Sequence, residues 1–205
     1  MRWLNRLFIS ILLLVAAFTA FAQRQVTIKV LQTSDVHGAL FPYDFIRNAP
    51  TDGSLARVYT YVKQERSKPN QQVILLDNGD ILQGQPTVYY SNFIDSTNPN
   101  IVSQMLNYMG YDAATVGNHD IETGPGVYRK VERESNFPWL AANAVSTTTG
   151  KPAFKPYVVL ECDGIRIAVL GLITPGIPKW LPKILWPNMQ FNDMVESARY
   201  WVKYI

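Results

Sequence analysis

Each of the chain's two histidines sits in a short polar cluster that follows an apolar, strand-like run. Asp35-Val36-His37-Gly38 follows Ile28-Lys29-Val30-Leu31, and Gly117-Asn118-His119-Asp120 follows Ala113-Ala114-Thr115-Val116. Between them, Leu75-Leu76-Asp77-Asn78-Gly79-Asp80 repeats the pattern of a hydrophobic run ending in carboxylates. Carboxylates and imidazoles delivered to one sheet edge make a site for divalent cations. The strands fix the donors, and the loops leave room for a substrate.

The spacing assigns provisional roles. Asp35 and His37 are two apart, so along an extended segment they face one side and reach one ion. Asp80 follows Gly79, whose missing side chain permits close approach, and its two oxygens can bridge cations roughly 3.5–4 Å apart. Asn118 offers a neutral carbonyl oxygen. His119 beside it could touch a substrate oxygen, with Asp120 fixing its tautomer and favouring the imidazolium. Asp35, Asp80 and Asp120 converging at one edge would also repel. At ~5 Å and an effective dielectric near 20, each close pair costs roughly 3 kcal/mol, a penalty that cations would turn into affinity. Taken singly, Asp-x-His and Asn-Gly-Asp are ordinary turn and cap composition. Their order, each after an apolar run and together using both histidines, is what points to a metal site.

Strand and helix signals alternate through the elements that must position these clusters. Val26–Thr33 alternates apolar and polar residues, and a loop rich in Pro, Asp and Asn runs on to Asp52. Gly53–Lys68 has helical spacing of Leu55, Val58, Tyr59 and Val62, with Pro69 as its stop. Val73–Leu76 is a continuous apolar run, the mark of a strand buried on both faces. Ile101–Met109 reads as a helix closed by Gly110, Ala113–Val116 as the next strand and Val127–Glu134 as a helix. Three further strands are expected at Trp139–Ala142, Tyr157–Glu161 and Ile165–Leu172, the last two joined by the hairpin signal Asp163-Gly164. Lys179–Pro187 reads as irregular, and a helix starts at Asn192. The pattern predicts an α/β sheet with an antiparallel portion.

The first 22 residues read as a signal peptide. Arg2 and Arg6 form a basic start, Leu7–Phe18 an apolar core, and Ala20-Phe21-Ala22 a cleavage signal. That core is short against the roughly 20 residues needed to span a bilayer, so no stable membrane anchor is expected after cleavage. Cleavage leaves residues 23–205 as an exported, periplasmic or extracellular chain with 17 basic and 16 acidic residues. A net charge of +1 makes no case for a nucleic-acid polymer as partner. Cys162 is the only cysteine, which excludes an internal disulfide. Hydrophobic residues make up 47% of the chain, ample for a packed core.

The blocks Asp35-x-His37, Gly79-Asp80 and Gly117-Asn118-His119-Asp120 resemble the first three motifs of the calcineurin-like metallophosphoesterases. Thr33-Ser34-Asp35-Val36-His37-Gly38, Leu40-Phe41-Pro42-Tyr43-Asp44, Ser54-Leu55-Ala56-Arg57 and Gln83-Gly84 are similar to the secreted 5′-nucleotidase and 2′,3′-cyclic-nucleotide 2′-phosphodiesterase/3′-nucleotidase branch. The resemblance covers about Val26 to Pro182. It implies a four-layer α/β/β/α sandwich and two divalent metal ions (Mn, Zn, Mg or Fe). It places Asp35 and His37 on one ion, Asp80 as the bridge and Asn118 on the second, with His119 and Asp120 as the catalytic dyad. The implied activity is hydrolysis of nucleotide phosphate esters; a thiosulfate-ester hydrolase or a non-catalytic metal- or nucleotide-binding protein is the alternative. Two departures stand out. Asp120-Ile121 replaces the usual Glu-Phe, and no histidine follows His119, although the family completes its metal spheres with later ones. Residues 23–205 are therefore expected to be the N-terminal part of a catalytic domain truncated at its C-terminus, weak or inactive alone.

Overall fold

The computed structural model describes residues 25–205, together with Trp3 near the N-terminus. The leader expected over residues 1–22 thus lies, Trp3 aside, outside the described residues. No helix among the described residues is long and apolar enough to cross a membrane.

The chain begins with β1 (Thr27–Thr33) and a short ladder of β2 (Tyr43–Asp44) and β3 (Ala49–Pro50). Then come α1 (Leu55–Arg66), β4 (Gln71–Asp77) and α2 (Pro86–Tyr89), which runs into a π-helical turn at Tyr90–Ile94. Next are α3 (Ile101–Met109), β5 (Ala113–Thr115), α4 (Asn118–Glu122), α5 (Pro125–Glu134), β6 (Trp139–Leu140) and β7 (Ala144–Ser146). The last part holds the hairpin β8 (Tyr157–Cys162) and β9 (Ile165–Leu170), then α6 (Ile177–Trp180), a 3-10 turn at Lys183–Leu185, β10 (Met189–Phe191) and α7 (Met194–Tyr204).

Four strands form one parallel sheet in the order β1-β4-β5-β6. Thr33 pairs with Asp77, Leu76 with Ala113 and Ala114 with Trp139. Parallel strands entered from the same side must all end at the same edge, where α/β proteins place their ligands. The segments leaving β1, β4 and β5 at that edge are the three polar clusters. The α/β class, and its mixture of parallel sheet and antiparallel hairpin, follow the expectation from sequence.

The helices cover one face of this sheet. Leu55 and Val62 of α1, Leu106 and Met109 of α3, and Val131 of α5 are buried in one cluster with Leu75 of β4 and Ala114 of β5. On the other face, Val30 of β1 is 56% exposed. Caps set the helix ends: Ser54 accepts from the Arg57 amide, Asn100 from the Val102 amide, and Gly110 closes α3 in the left-handed region at φ 70°. Glu65 ties α1 to the sheet through Lys29 at 3.1 Å and Gln71 at 3.1 Å. Its bonds from Lys68, Gln71 and Lys29 hold its carboxyl down at about 2. The β8–β9 turn uses Asp163 at φ 56° and Gly164 at φ 83°, as the Asp-Gly signal requires.

Most expected elements shift by one or two residues, but the short strands β2, β3, β7 and β10 and the short helices α2, α4 and α6 carry no signal in the sequence pattern. Four- and five-residue helices are too short to show a period, and α4 lies inside the Gly-Asn-His-Asp cluster that reads as a loop. The stretch read as irregular from Lys179 contains the end of α6 and the 3-10 turn.

Candidate metal centre

Backbone contacts draw the three loops together before any side chain acts. The Asn78 amide donates to the Thr33 carbonyl at 2.8 Å, the Asp35 amide to Gly79 at 3.1 Å, and the His37 amide to Asp80 at 2.9 Å. The loops after β4 and β5 meet glycine against glycine: a Cβ on Gly79, at φ 89°, would stand 2.5 Å from the Gly117 nitrogen. A Cβ on Gly117 would stand 2.2 Å from Asp80 Oδ1. No side chain fits at either position, so the close approach expected of Gly79 has a definite cause.

His37, Asp80 and His119 each present a ligating atom, and these atoms all lie within 4.8 Å of one another. The two imidazole rings stand edge to face with centroids 5.1 Å apart. Two imidazoles and a carboxylate are a donor set that suits a divalent transition ion, so the residues present fit the metal that the sequence implied. Asp35 is outside this trio, and its carboxylate instead accepts from the Ser34 hydroxyl. The extended geometry expected for Asp35 and His37 is not found: both adopt left-handed backbone, at φ 54° and 47°, with Asp80 at 60°. Asn118 opens α4 beside His119.

The partner of His119 is also not the one read from sequence. Asp120 is fully buried, and its carboxylate accepts four backbone amides: Asp80 and Gly117 on Oδ2, Ile81 and Leu82 on Oδ1, at 2.8–3.0 Å. Burial pushes its pKa up, and those four bonds oppose the rise. Asp120 therefore clamps the backbone of the Asp80 loop and does not face His119. Helix α4 turns the residue three further on toward the ring: His119 Nδ1 lies 2.7 Å from Glu122 Oε2. Residues at i and i+3 share a helix face, and that signal is hidden when the segment is read as a loop. The His119 amide in turn donates to Asp80 Oδ1 at 2.8 Å, tying the two donor residues together.

A second buried carboxylate lies beneath the site. Asp77 accepts from the Thr33 hydroxyl at 2.6 Å and from the Gly79 amide at 3.0 Å. Burial first, then the nearby Asp120 and Asp35 charges, push its pKa up to about 7 against the bonds from Thr33 and Gly79. Asp77 and Asp120 act as fasteners for the loops that carry the donors. At Asp120 the charge is met by four backbone amides.

The profile of the calcineurin-like phosphoesterase family matches residues 28–187, most of the chain. The chain belongs to this family. Among curated relatives, a 2′,3′-cyclic-nucleotide 2′-phosphodiesterase/3′-nucleotidase of Yersinia enterocolitica is 30% identical over 92% of this phosphoesterase chain and 31% of its own length. The trifunctional nucleotide phosphoesterase YfkN of Bacillus subtilis is 31% identical over 86% of this chain and 13% of its own length. The phosphoesterase chain thus spans a third or less of these relatives. Among solved structures, the B. subtilis YfkN phosphoesterase superposes with TM-score 0.75 at 30% identity, over 88% of this chain and 58% of that one. A putative 5′-nucleotidase of Staphylococcus aureus superposes with TM-score 0.78 at 27% identity, over 86% and 34%.

Proposed function

We propose that this chain carries the first metal-binding motifs of an exported, divalent-metal-dependent hydrolase of nucleotide phosphate esters. One observation carries the reading: His37, Asp80 and His119 converge within 4.8 Å at the edge where three parallel strands end. Relatives named as nucleotidases and nucleotide phosphodiesterases, matched across nearly the whole chain, support the substrate class. The leader read over residues 1–22 supports export.

By resemblance to the family, Asp35, His37 and Asp80 would hold one cation and Asp80 with Asn118 a second. His119, whose ligating atom lies within 4.8 Å of those of His37 and Asp80, would stand beside the ions rather than on them. Cations bound there supply Lewis acidity toward phosphoryl oxygens. The chain's own groups then have defined tasks. With Nδ1–H donating to Glu122, the His119 ring is fixed in direction, and Nε2 is the nitrogen left for chemistry. Neutral, that nitrogen is a lone-pair donor; protonated, it donates a proton to the oxygen that leaves phosphorus. Glu122 holds the ring in direction through Nδ1, so we assign His119 the acid role and Glu122 the positioning role that sequence had given to Asp120. Asp120 and Asp77 keep the Asp80 and Gly79 backbones in place while the substrate turns over.

The test is metal content by elemental analysis, joined to hydrolysis of nucleoside monophosphates and a chromogenic phosphodiester. Both are measured on this chain and on the whole product of its gene. The expected result is metal uptake that Asp80→Asn abolishes, with metal-dependent hydrolysis by the whole product. Stoichiometric uptake without any hydrolysis by the whole product would leave a metal-binding protein and refute the hydrolase reading.

A further inference from the structure

A buried chain of polar side chains reaches the metal centre from within the core. Tyr111, between α3 and β5, is 5% exposed and belongs to the core cluster, its ring beside that of Phe137. Its hydroxyl lies 2.9 Å from the Thr33 hydroxyl, which donates to Asp77 Oδ1 at 2.6 Å. A threonine hydroxyl has one proton, and Asp77 receives it, so Tyr111 is the donor in the first bond. Burial raises the Tyr111 pKa, so the phenol keeps the proton that it donates. The ring packs as a phenylalanine would, and what the hydroxyl adds is this chain.

Asp77 passes the tie onward. Its other oxygen accepts the Gly79 amide at 3.0 Å, and the Gly79 carbonyl accepts the Asp35 amide at 3.1 Å. The Asn78 amide returns to the Thr33 carbonyl at 2.8 Å, so Thr33 holds this turn through its main chain and its side chain together. At the end of the turn the Asp80 carbonyl accepts the His37 amide at 2.9 Å. Hydrogen bonds in a line polarise one another in a low-dielectric interior, so the bond from Tyr111 strengthens the one from Thr33 to Asp77.

We propose that Tyr111 is a positioning residue for the metal centre, acting through Thr33 and Asp77 on the turn that sets the backbones of Asp35 and Asp80. This rests on the metal-binding reading of that centre. The test titrates the whole chain with Co²⁺ and records the visible spectrum, which reports how donors are arranged around the ion. Circular dichroism follows thermal unfolding of the metal-free protein alongside. Tyr111→Phe should weaken Co²⁺ binding roughly fivefold and alter the spectrum. Thr33→Val should weaken it further, and Thr33→Ser, which keeps the hydroxyl, should return to the parent's values. Adding Tyr111→Phe to Thr33→Val should cost no more affinity, because the phenol then has no route to Asp77. The control is Ser135→Ala, which removes the acceptor of the Trp139 ring N–H at β6, the strand at the far end of the sheet from β1. It should lower Tm and leave Co²⁺ binding and spectrum unchanged. Unchanged Co²⁺ binding in Tyr111→Phe, an equal loss in Ser135→Ala, or additive losses in the double variant would each overturn the positioning role and leave the centre's reading intact. Failure of the parent chain to bind Co²⁺ would refute the metal-binding reading, and this role with it.

Discussion

Asp120→Asn separates the role this carboxylate has in the structure from the dyad role that sequence suggested. Asp120 accepts four backbone amides while fully buried. Asparagine keeps one accepting oxygen and turns an NH₂ toward the other pair of donors. Two buried amides left without an acceptor cost about 1–3 kcal/mol each. One effect opposes this: the variant no longer buries a charge, and burial does push the Asp120 pKa up. Four amide bonds to a charged acceptor, at roughly 1.5–3 kcal/mol each, outweigh that relief. The net expectation is a loss of about 3 kcal/mol, or roughly 10 °C in Tm for a domain of this size. The assay is thermal unfolding of EDTA-treated protein followed by circular dichroism at pH 7.5. Glu122→Gln is the control: its pair with His119 is more than one-third exposed, and exposed pairs contribute under ~1 kcal/mol. If Asp120→Asn melted within ~2 °C of the parent and Glu122→Gln fell by the larger amount, the clamp assignment would be wrong.

Asp77, raised to about 7 from an ordinary 3.8, binds its proton more tightly in the folded state. Its contribution to stability is therefore fully present below pH ~4 and is lost as pH rises through about 7, on the order of 4 kcal/mol in all. Asp77→Asn should flatten the decline in Tm between pH 5 and 8, and identical pH profiles for parent and variant would disprove this. In the whole gene product, His119→Asn should cut turnover by roughly 10²–10⁴-fold with metal content nearly unchanged, while Asp80→Asn loses metal. The reverse pattern in elemental analysis would invert the two roles. The mature protein should begin at Gln23, and mass spectrometry finding Met1 retained would exclude the leader.

The parallel sheet and the edge where the clusters meet were legible because apolar runs and polar ends carry their own signal. Leu75 on β4, and Ala114 before Gly117, are placed by that pattern alone, whereas Asp77, read as part of the polar cluster, closes the strand. What escaped reading depended on short-range geometry. Asp35 and His37 read as an extended pair, yet both hold left-handed backbone, and a residue-by-residue period cannot report φ. Glu122 was missed because α4 is a single turn, with no repeat to announce it. Asp120 was misassigned because a carboxylate next to a histidine in sequence looks like its partner. A short helix sends adjacent side chains in different directions and brings the third residue around.

Three acidic or imidazole residues at the site hold non-glycine left-handed backbone, at φ 54° for Asp35, 47° for His37 and 60° for Asp80. Such conformations cost on the order of 1 kcal/mol each and persist only where their surroundings dictate them. Here the main-chain bonds from Asp35 to Gly79 and from His37 to Asp80 tie two of the three into the loop that follows β4. Donor spacing at this centre is therefore a property of one loop set against another as much as of any single side chain. A change that relaxes the Gly79 backbone displaces Asp35 through the chain it is bonded to, although glycine offers no ligand of its own.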